Sequence, residues 1–264
     1  MCLIFFSLNH HPNYKLIVAA NRDEFYDRKT APAAYWNDYP EILGGRDLEG
    51  QGTWMAVTRS GKIALITNYR DPKNIDPQAP SRGRLVSDYL IQNTHPESFL
   101  KSVEPNAKKY NGFNLIAGNQ DELWYFSNYQ NSIQKIENGF YGLSNHLLET
   151  PWPKVILIKE KLKPILRQKS IDPEVLLDAL YDGVPAPDYQ LPETGIGLER
   201  ERALSSIFIK TPDYGTRCST VALVDQQDRV LFSERTYDLK TFAYTTKEFQ
   251  FTIRPRGKLK YNRG

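Results

Sequence analysis

The residue in this sequence best suited to chemistry is Cys2, which follows the initiator methionine. Aminopeptidases remove an initiator methionine when the next side chain is small, so we expect Cys2 to carry both a thiol and a free α-amino group. An α-amine has a pKa of about 7.7–8.0, against about 10.4 for a lysine amine, so part of it is neutral at physiological pH and accepts the thiol proton. Nucleophile and base then share one residue, which is the chemistry of an N-terminal nucleophile hydrolase.

A structural role is the alternative for Cys2, because cysteine is among the most buried residue types and an apolar strand begins here. The polar cluster Asn21-Arg22-Asp23-Glu24 favours the catalytic role. It ends a second apolar strand at residues 16–20, and so many hydrogen-bonding residues in a row are unusual at the end of a buried strand. If the two strands pair through the turn at residues 10–13, the cluster comes near Cys2.

The sequence resembles the NRDE family, also called the transport and Golgi organisation family, in a series of blocks that keep the same order from residue 1 to about residue 225. The tetrad at 21–24 gives that family its name. The further blocks are Met1-Cys2, Gly44-Gly45-Arg46-Asp47, Thr67-Asn68-Tyr69-Arg70-Asp71-Pro72, Gly142-Leu143-Ser144-Asn145, Pro151-Trp152-Pro153-Lys154 and Gly215-Thr216-Arg217-Cys218-Ser219-Thr220. This resemblance implies the four-layer αββα sandwich of the N-terminal nucleophile hydrolase superfamily, with antiparallel sheets.

More distantly, the chain is similar to the penicillin acylase and bile-salt hydrolase branch of that superfamily, which also begins Met-Cys. The resemblance implies that Asn145 donates to the oxyanion and that Arg217 is the late arginine beside the nucleophile. In that branch an arginine and an aspartate stand three residues apart before a phenylalanine. Aligned on Phe25, this chain has Asn21 and Glu24 at those places, so the roles at the end of the second strand differ or are lost.

We assign Arg22 to lowering the pKa of the Cys2 thiol and Asp23 to holding the amine, with Asn21 and Glu24 as competitors that could instead bind substrate or the oxyanion. Adjacent strand residues point to opposite faces, so Arg22 and Asp23 cannot both face Cys2 without a bend. We therefore expect one residue of each adjacent pair to have a structural role.

Asn68 is a candidate second donor to the oxyanion. For Asn68 and Asn145 the alternative is a role as turn residues at strand ends. For Arg217 the alternative is a surface position on a strand. Cys218 points away from Arg217, and we expect it in the core.

The pattern of strands and helices that must position these residues predicts an α+β fold. Hairpins join most strands, which predicts antiparallel sheets, and two blocks of amphipathic helices interrupt them. We expect a long loop over 26–52 that forms a wall of a substrate cleft, a helix from residue 150 that bends or breaks at Pro164, and a strand at 203–209. One domain is expected over 1–253, followed by a basic tail at 254–264.

Composition excludes several classes of function. The net charge of +3 falls to −2 without the five basic residues of the tail, so no nucleic-acid partner is expected. The two cysteines and four histidines show no spacing of zinc ligands, so we expect no metal. Nothing reads as a signal peptide or approaches the roughly 18 apolar residues of a membrane span, which predicts a cytoplasmic protein without an integral membrane segment. The sequence leaves the oligomeric state open.

Two main hypotheses of function follow. The first is an amidohydrolase or acyltransferase that needs no cofactor and acts on a C–N bond of a small acyl substrate through Cys2. The second is a non-catalytic carrier on the same fold, because the resemblance implies haem trafficking and acyl-CoA or lipid handling; Cys2, His10, His11 or His146 would then contact haem iron. A membrane-trafficking adaptor is a third idea, disfavoured because no anchor or basic amphipathic helix is present.

Overall fold

The computed structural model describes residues 2–254. Within this range the strands are β1 Cys2–Leu8, β2 Tyr14–Phe25, β3 Thr30–Tyr35, β4 Ile42–Asp47, β5 Met55–Thr58, β6 Lys62–Asn68, β7 Phe113–Asn119, β8 Leu123–Ser127, β9 Ser132–Ile136, β10 Gly139–Leu143, β11 Tyr214–Asp225, β12 Arg229–Tyr237 and β13 Tyr244–Thr252. The α-helices are α1 Gly83–Ile91, α2 Pro96–Val103, α3 Pro153–Ile165, α4 Pro173–Ala179 and α5 Leu198–Ala203.

The strands form two antiparallel sheets. The first sheet has the order β10-β1-β2-β11-β12-β13, and the second runs from β3 to β9 in chain order. In the first sheet, β2 and β11 are long central strands that pair over most of their length. The second sheet is a meander of hairpins, since each of its strands pairs with the next along the chain.

Three apolar clusters hold the layers together. On β1, Ile4 and Phe6 belong to the cluster between the two sheets, whereas Leu3 and Phe5 belong to the cluster between the first sheet and helices α3 and α4. A third cluster joins the second sheet to α1 and α2. Because both faces of β1 are covered, its sequence is an apolar run rather than an alternating pattern. The layers therefore follow the order αββα, and the four-layer prediction is confirmed.

The predicted long loop over 26–52 is wrong, because β3 and β4 lie within it. Its glycines suggested a loop, yet Gly44 is a strand residue that the neighbouring strand approaches closely. A Cβ at Gly44 would lie 2.6 Å from the Cβ of Ala56, so the small residue serves packing and not a turn.

Two further expectations need correction. Residues 204–209 are not a strand: they form an irregular segment, and Lys210 contributes a single bridge to Gly215. The segment is apolar because it is buried against the first sheet. Helix α3 is not broken at Pro164, since the proline lies in the last turn and the helix ends one residue later.

Among residues 2–254, no helix has both the length and the apolar character needed to cross a membrane. The predicted basic tail at 254–264 lies, apart from Arg254, outside the described residues.

Candidate functional site

The start of β1 lies beside the polar end of β2. The Cα atoms of Cys2 and Arg22 are partners in the register, and Arg22 is also the partner of Cys218 on β11. The next residue of β2, Asp23, is the partner of Thr216, and a register shift between Thr216 and Cys218 marks an irregularity in β11 at this point. The pairing of the two strands that was predicted from sequence brings the tetrad to the Cys2 backbone.

Arg22 faces the space between the two sheets. Its guanidinium lies 4.2 Å from the centre of the Trp54 ring, and Nη1 donates to the Thr30 hydroxyl at 3.2 Å. Glu24 approaches Nη2 at 3.9 Å. The side chain is only 4% exposed, so a positive charge is held in a low-dielectric layer by an aromatic face and a distant carboxylate.

Asp23 faces the helices instead. Its Oδ1 accepts a hydrogen bond from the Thr216 hydroxyl at 2.7 Å, and its Oδ2 lies 4.0 Å from Nζ of Lys154. Both charged side chains are buried, with exposed fractions of 0% and 1%. Burial raises the pKa of the Asp23 carboxyl, and the nearby Lys154 ammonium opposes that rise.

Lys154 reaches Asp23 from the first turn of α3. The helix begins at Pro153, whose fixed φ suits a helix start. Lys154 is the first member of the stripe that continues with Ile158 and Leu162, so it points at the first sheet. The sequence signal for this lysine is a charged residue at a position of the apolar helix face.

A second buried ion pair lies close by. Nη1 of Arg70 donates to Glu201 at 2.6 Å, both side chains are about 95% buried, and the guanidinium lies 4.7 Å from the Trp152 ring. Burial lowers the pKa of Arg70, while the charges of Glu201 and Asp23 oppose the change. Trp152 comes two residues before Lys154 in the chain, so its contact with Arg70 places this pair near the pair of Asp23 and Lys154.

Asn145 and Asn68 meet at the same end of the molecule. β10 ends at Leu143 opposite Ile4, so the chain that follows leaves the sheet beside the start of β1. The Asn145 side-chain amide donates to the Asn68 carbonyl at 3.1 Å, and the Asn145 carbonyl accepts the backbone N–H of Arg70 at 2.7 Å. The contact ties the end of one sheet to the end of the other.

The predicted site residue Asn21 has a structural role. The Asn21 amide donates to the carbonyls of Leu180 and Ile207 and its Oδ1 accepts from Ser219, so this fully buried side chain ties the first sheet to the segments packed on it. We therefore leave Asn21 out of the proposed site.

Glu24 and Arg217 lie at the rim of the cluster. Oε1 of Glu24 accepts the backbone N–H of Phe25, and Nη1 of Arg217 donates to the carbonyls of Phe25 and Arg28. Desolvation and the charge of Arg22 lower the pKa of Arg217. Cys218 lies in the core between the sheets, as predicted.

The structure thus brings Cys2, Arg22, Asp23, Asn145 and Arg217 to one end of the sheets. Sequence reasoning missed Lys154, Arg70 and Glu201. The described residues contain no group of three or more His, Cys, Asp or Glu that could hold a metal ion.

A family model described as Transport and Golgi organisation 2 matches residues 1–239. The chain is 38% identical over 275 aligned residues to the human Transport and Golgi organization protein 2 homolog, covering 96% of this chain and 99% of that one. It is 32% identical to Transport and Golgi organization protein 2 of Drosophila melanogaster, covering 89% of this chain and 92% of the relative.

Solved structures are similar at low sequence identity. A Caenorhabditis elegans ortholog of N-acylethanolamine-hydrolyzing acid amidase matches with a TM-score of 0.49 and 11% identity, covering 83% of this chain and 92% of that one. The C2A mutant of the conjugated bile acid hydrolase of Clostridium perfringens matches with a TM-score of 0.48 and 8% identity, covering 97% and 98%.

Proposed function

The chain belongs to the Transport and Golgi organisation 2 family, and for this member we propose an N-terminal nucleophile hydrolase whose Cys2 cleaves a C–N bond of a small acyl substrate. The observation that carries the proposal is the register that pairs Cys2 with Arg22, one residue from the buried pair of Asp23 and Lys154. Buried ion pairs contribute little net stability, so stability alone does not explain these buried charges. We infer that they serve the catalytic site.

The opposite orientations of Arg22 and Asp23 fit separate roles in the proposed site. Leu3 pairs with Asn21 and Cys2 with Arg22, so the amino side of Cys2 is directed along β2 toward Asp23. The roles therefore divide between the two faces without a bend in β2. Arg22 favours the thiolate by its charge, and Asp23 orients the α-amine.

In the proposed reaction the α-amine takes the thiol proton and the sulfur attacks the acyl carbon. The C–N bond breaks, the proton passes to the departing amine, and a thioester remains on Cys2. Water, deprotonated by the same amine, then attacks the thioester carbon. The C–S bond breaks, the acid is released, and the amine returns its proton to the Cys2 sulfur. Asn145 donates to the oxyanion, Arg217 contributes positive charge at the rim, and Lys154 opposes the effect of burial on the Asp23 carboxyl.

The test is the intact mass of the native protein, followed by a short pulse of iodoacetamide at neutral pH. We expect Met1 to be absent and one label to be added fast, and we expect Cys2→Ala to abolish the fast label. Cys218 should react only after unfolding, because it is 5% exposed in the core. Retained Met1, or a thiol that reacts slowly and titrates near the ordinary cysteine value of about 8.5, would overturn the proposal.

Lys154→Met tests the positioning of Asp23. Without the ammonium, the carboxyl of Asp23 holds its proton to higher pH, and we expect labelling of Cys2 to slow several-fold and its pH dependence to move. Lys163→Met, on the exposed side of the same helix, is the matched control and should leave both unchanged. Equal labelling of the two variants would remove Lys154 from the proposed site.

A carrier for haem or acyl-CoA on the same fold is the competing proposal. His11 and His146 each have both ring nitrogens hydrogen-bonded within the chain, so either would have to give up a bond to ligate iron. Retained Met1 together with saturable binding in haem or acyl-CoA titrations would favour the carrier.

A further inference from the structure

We propose that a cavity of about 420 Å³ on the helix side of the first sheet binds a small organic anion with a flat apolar body, such as an aromatic carboxylate. The residues that line it are Tyr181, Gly183, Pro185, Ala203, Ser206, Phe208 and Lys210. Its volume lies in the range of small-molecule sites, roughly 300–1,000 Å³. We call it the Lys210 cavity.

The charge in this cavity is held against aromatic rings. Nζ of Lys210 lies 4.9 Å from the ring centre of Tyr181, 5.3 Å from that of Phe208 and 4.4 Å from that of Phe242. It also donates to the Tyr181 hydroxyl at 3.2 Å. Lys210 is an exposed residue, so its ammonium can meet a ligand without leaving the rings.

The sign of the charge selects the ligand. Among the lining residues Lys210 alone carries a formal charge, and none of them is acidic. The neighbouring Asp182 is already bound by Lys161 at 2.7 Å, and Asp188 is bound by Arg202 at 2.6 Å. Within residues 2–254 no carboxylate forms an ion pair with Lys210, so an anion in the cavity would meet an available cation. The exposed side chains of Tyr181, Pro185 and Ala203 offer apolar surface to a flat body.

The third ring is supplied by a residue in an unfavourable conformation. Phe242 has a φ of 58°, which is rare for a bulky side chain. Its N–H donates to the Asp238 carbonyl at 2.8 Å, and the Asp238 carboxylate accepts the N–H groups of Lys240 and Thr241. The loop between β12 and β13 thus holds Phe242 over Lys210 at a conformational cost, and such costs concentrate at binding sites.

The Lys210 cavity is separate from the Cys2 site. Residues 206–209 lie between them, since Ile207 accepts a hydrogen bond from Asn21 and Ile209 is bonded to Thr216, the partner of Asp23. The proposal therefore does not depend on the hydrolase.

The test compares 2-naphthoate with 2-naphthamide, which have the same rings but differ in charge, by isothermal titration calorimetry on the full chain. We expect saturable binding of the naphthoate, about tenfold tighter than the amide, because a hydrogen bond to a charged group adds that much. Lys210→Met should reduce the naphthoate to the affinity of the amide. Phe242→Ala should weaken the naphthoate, because it removes the ring nearest to the Lys210 ammonium.

Lys240→Met, in the adjacent loop and outside the cavity, is the matched control and should keep the tenfold preference. Unchanged melting temperatures would show that the variants are folded. No saturable binding of naphthoate, equal binding of acid and amide, or a preference that survives Lys210→Met would each overturn the proposal.

Discussion

Glu234 connects the two sheets through one buried carboxylate. It lies on β12 with 2% of its surface exposed, and its Oε1 accepts the backbone N–H of Ala33 on β3 at 2.6 Å. The Thr220 hydroxyl approaches Oε2 at 3.4 Å. Burial raises the pKa of Glu234, although these hydrogen bonds, one with Cys218 and the charge of Arg22 oppose the rise. Folding therefore favours the protonated form of this carboxyl more than the unfolded chain does.

Glu234→Gln should reveal this preference through pH. A carboxyl whose pKa is raised on folding contributes stability that is complete below its unfolded value, ordinarily 4.5, and that is lost as the pH rises through the folded value. We expect the free energy of unfolding of the native chain, minus that of the variant, to fall as the pH rises from below 4.5 toward neutrality. Urea unfolding at several pH values measures the difference.

Glu248→Gln, on the exposed strand β13, is the control for Glu234→Gln and should give a difference that barely changes with pH. If the difference for Glu234 were flat or grew with pH, Glu234 would not be a buried acid with a raised pKa.

At the scale of elements, the position of α3 decides whether Lys154 reaches Asp23. The helix lies on β10, where Gly142 leaves room for Val155: a Cβ on Gly142 would stand 2.6 Å from Cγ1 of Val155. Helix α3 also packs Ile158 and Leu162 against the first sheet in the same apolar cluster as Leu3 and Phe5. The close contact between α3 and β10 therefore determines how deeply Lys154 and Asp23 are buried.

Gly142→Ala should destabilise the protein by about 1–3 kcal/mol, because overpacking forces the helix to shift. It should also slow the labelling of Cys2, since the shift moves Lys154. Gly183→Ala is the matched control, with the nearest atom to its Cβ at 3.6 Å, and should change neither. Urea unfolding and the iodoacetamide pulse measure the two effects. Equal stability of both variants would mean that α3 adjusts without cost.

At the scale of the whole molecule, protection from solvent is uneven across the first sheet. β1, β2 and β11 are covered by the second sheet on one side and by α3 and α4 on the other. β13 is an edge strand whose residues are mostly exposed. The candidate site lies at the end of the best covered strands, which suits a site that must hold its geometry.

Hydrogen–deuterium exchange should follow this order. We expect the slowest amides in β2 and β11 and the fastest strand amides in β13, measured by mass spectrometry on peptides of the native protein. The comparison uses strands of the same sheet, so it controls for sheet geometry. Slow exchange in β13 equal to that in β2 would mean that something covers this edge in solution.

The sequence by itself determined the class and the layers of the fold. Hairpin turns and apolar runs predicted antiparallel sheets, and the blocks from Met1-Cys2 to the segment at 215–220 implied the αββα order. The pairing of β1 with β2 followed from a short turn between two apolar strands, because local connections leave few alternatives. This was enough to bring Arg22 and Asp23 to Cys2.

Only the tertiary structure decided which charges share the site. Arg70 and Glu201 are 131 residues apart in sequence, and Lys154 and Asp23 belong to different layers, so no local pattern pairs them. It also decided that Gly44 lies in a strand and that residues 204–209 do not, because close approach and burial, rather than propensity, govern both stretches. Contacts between layers depend on the packing of the whole chain. These contacts determine how deeply a charged side chain is buried and how closely a neighbouring strand or helix approaches a glycine.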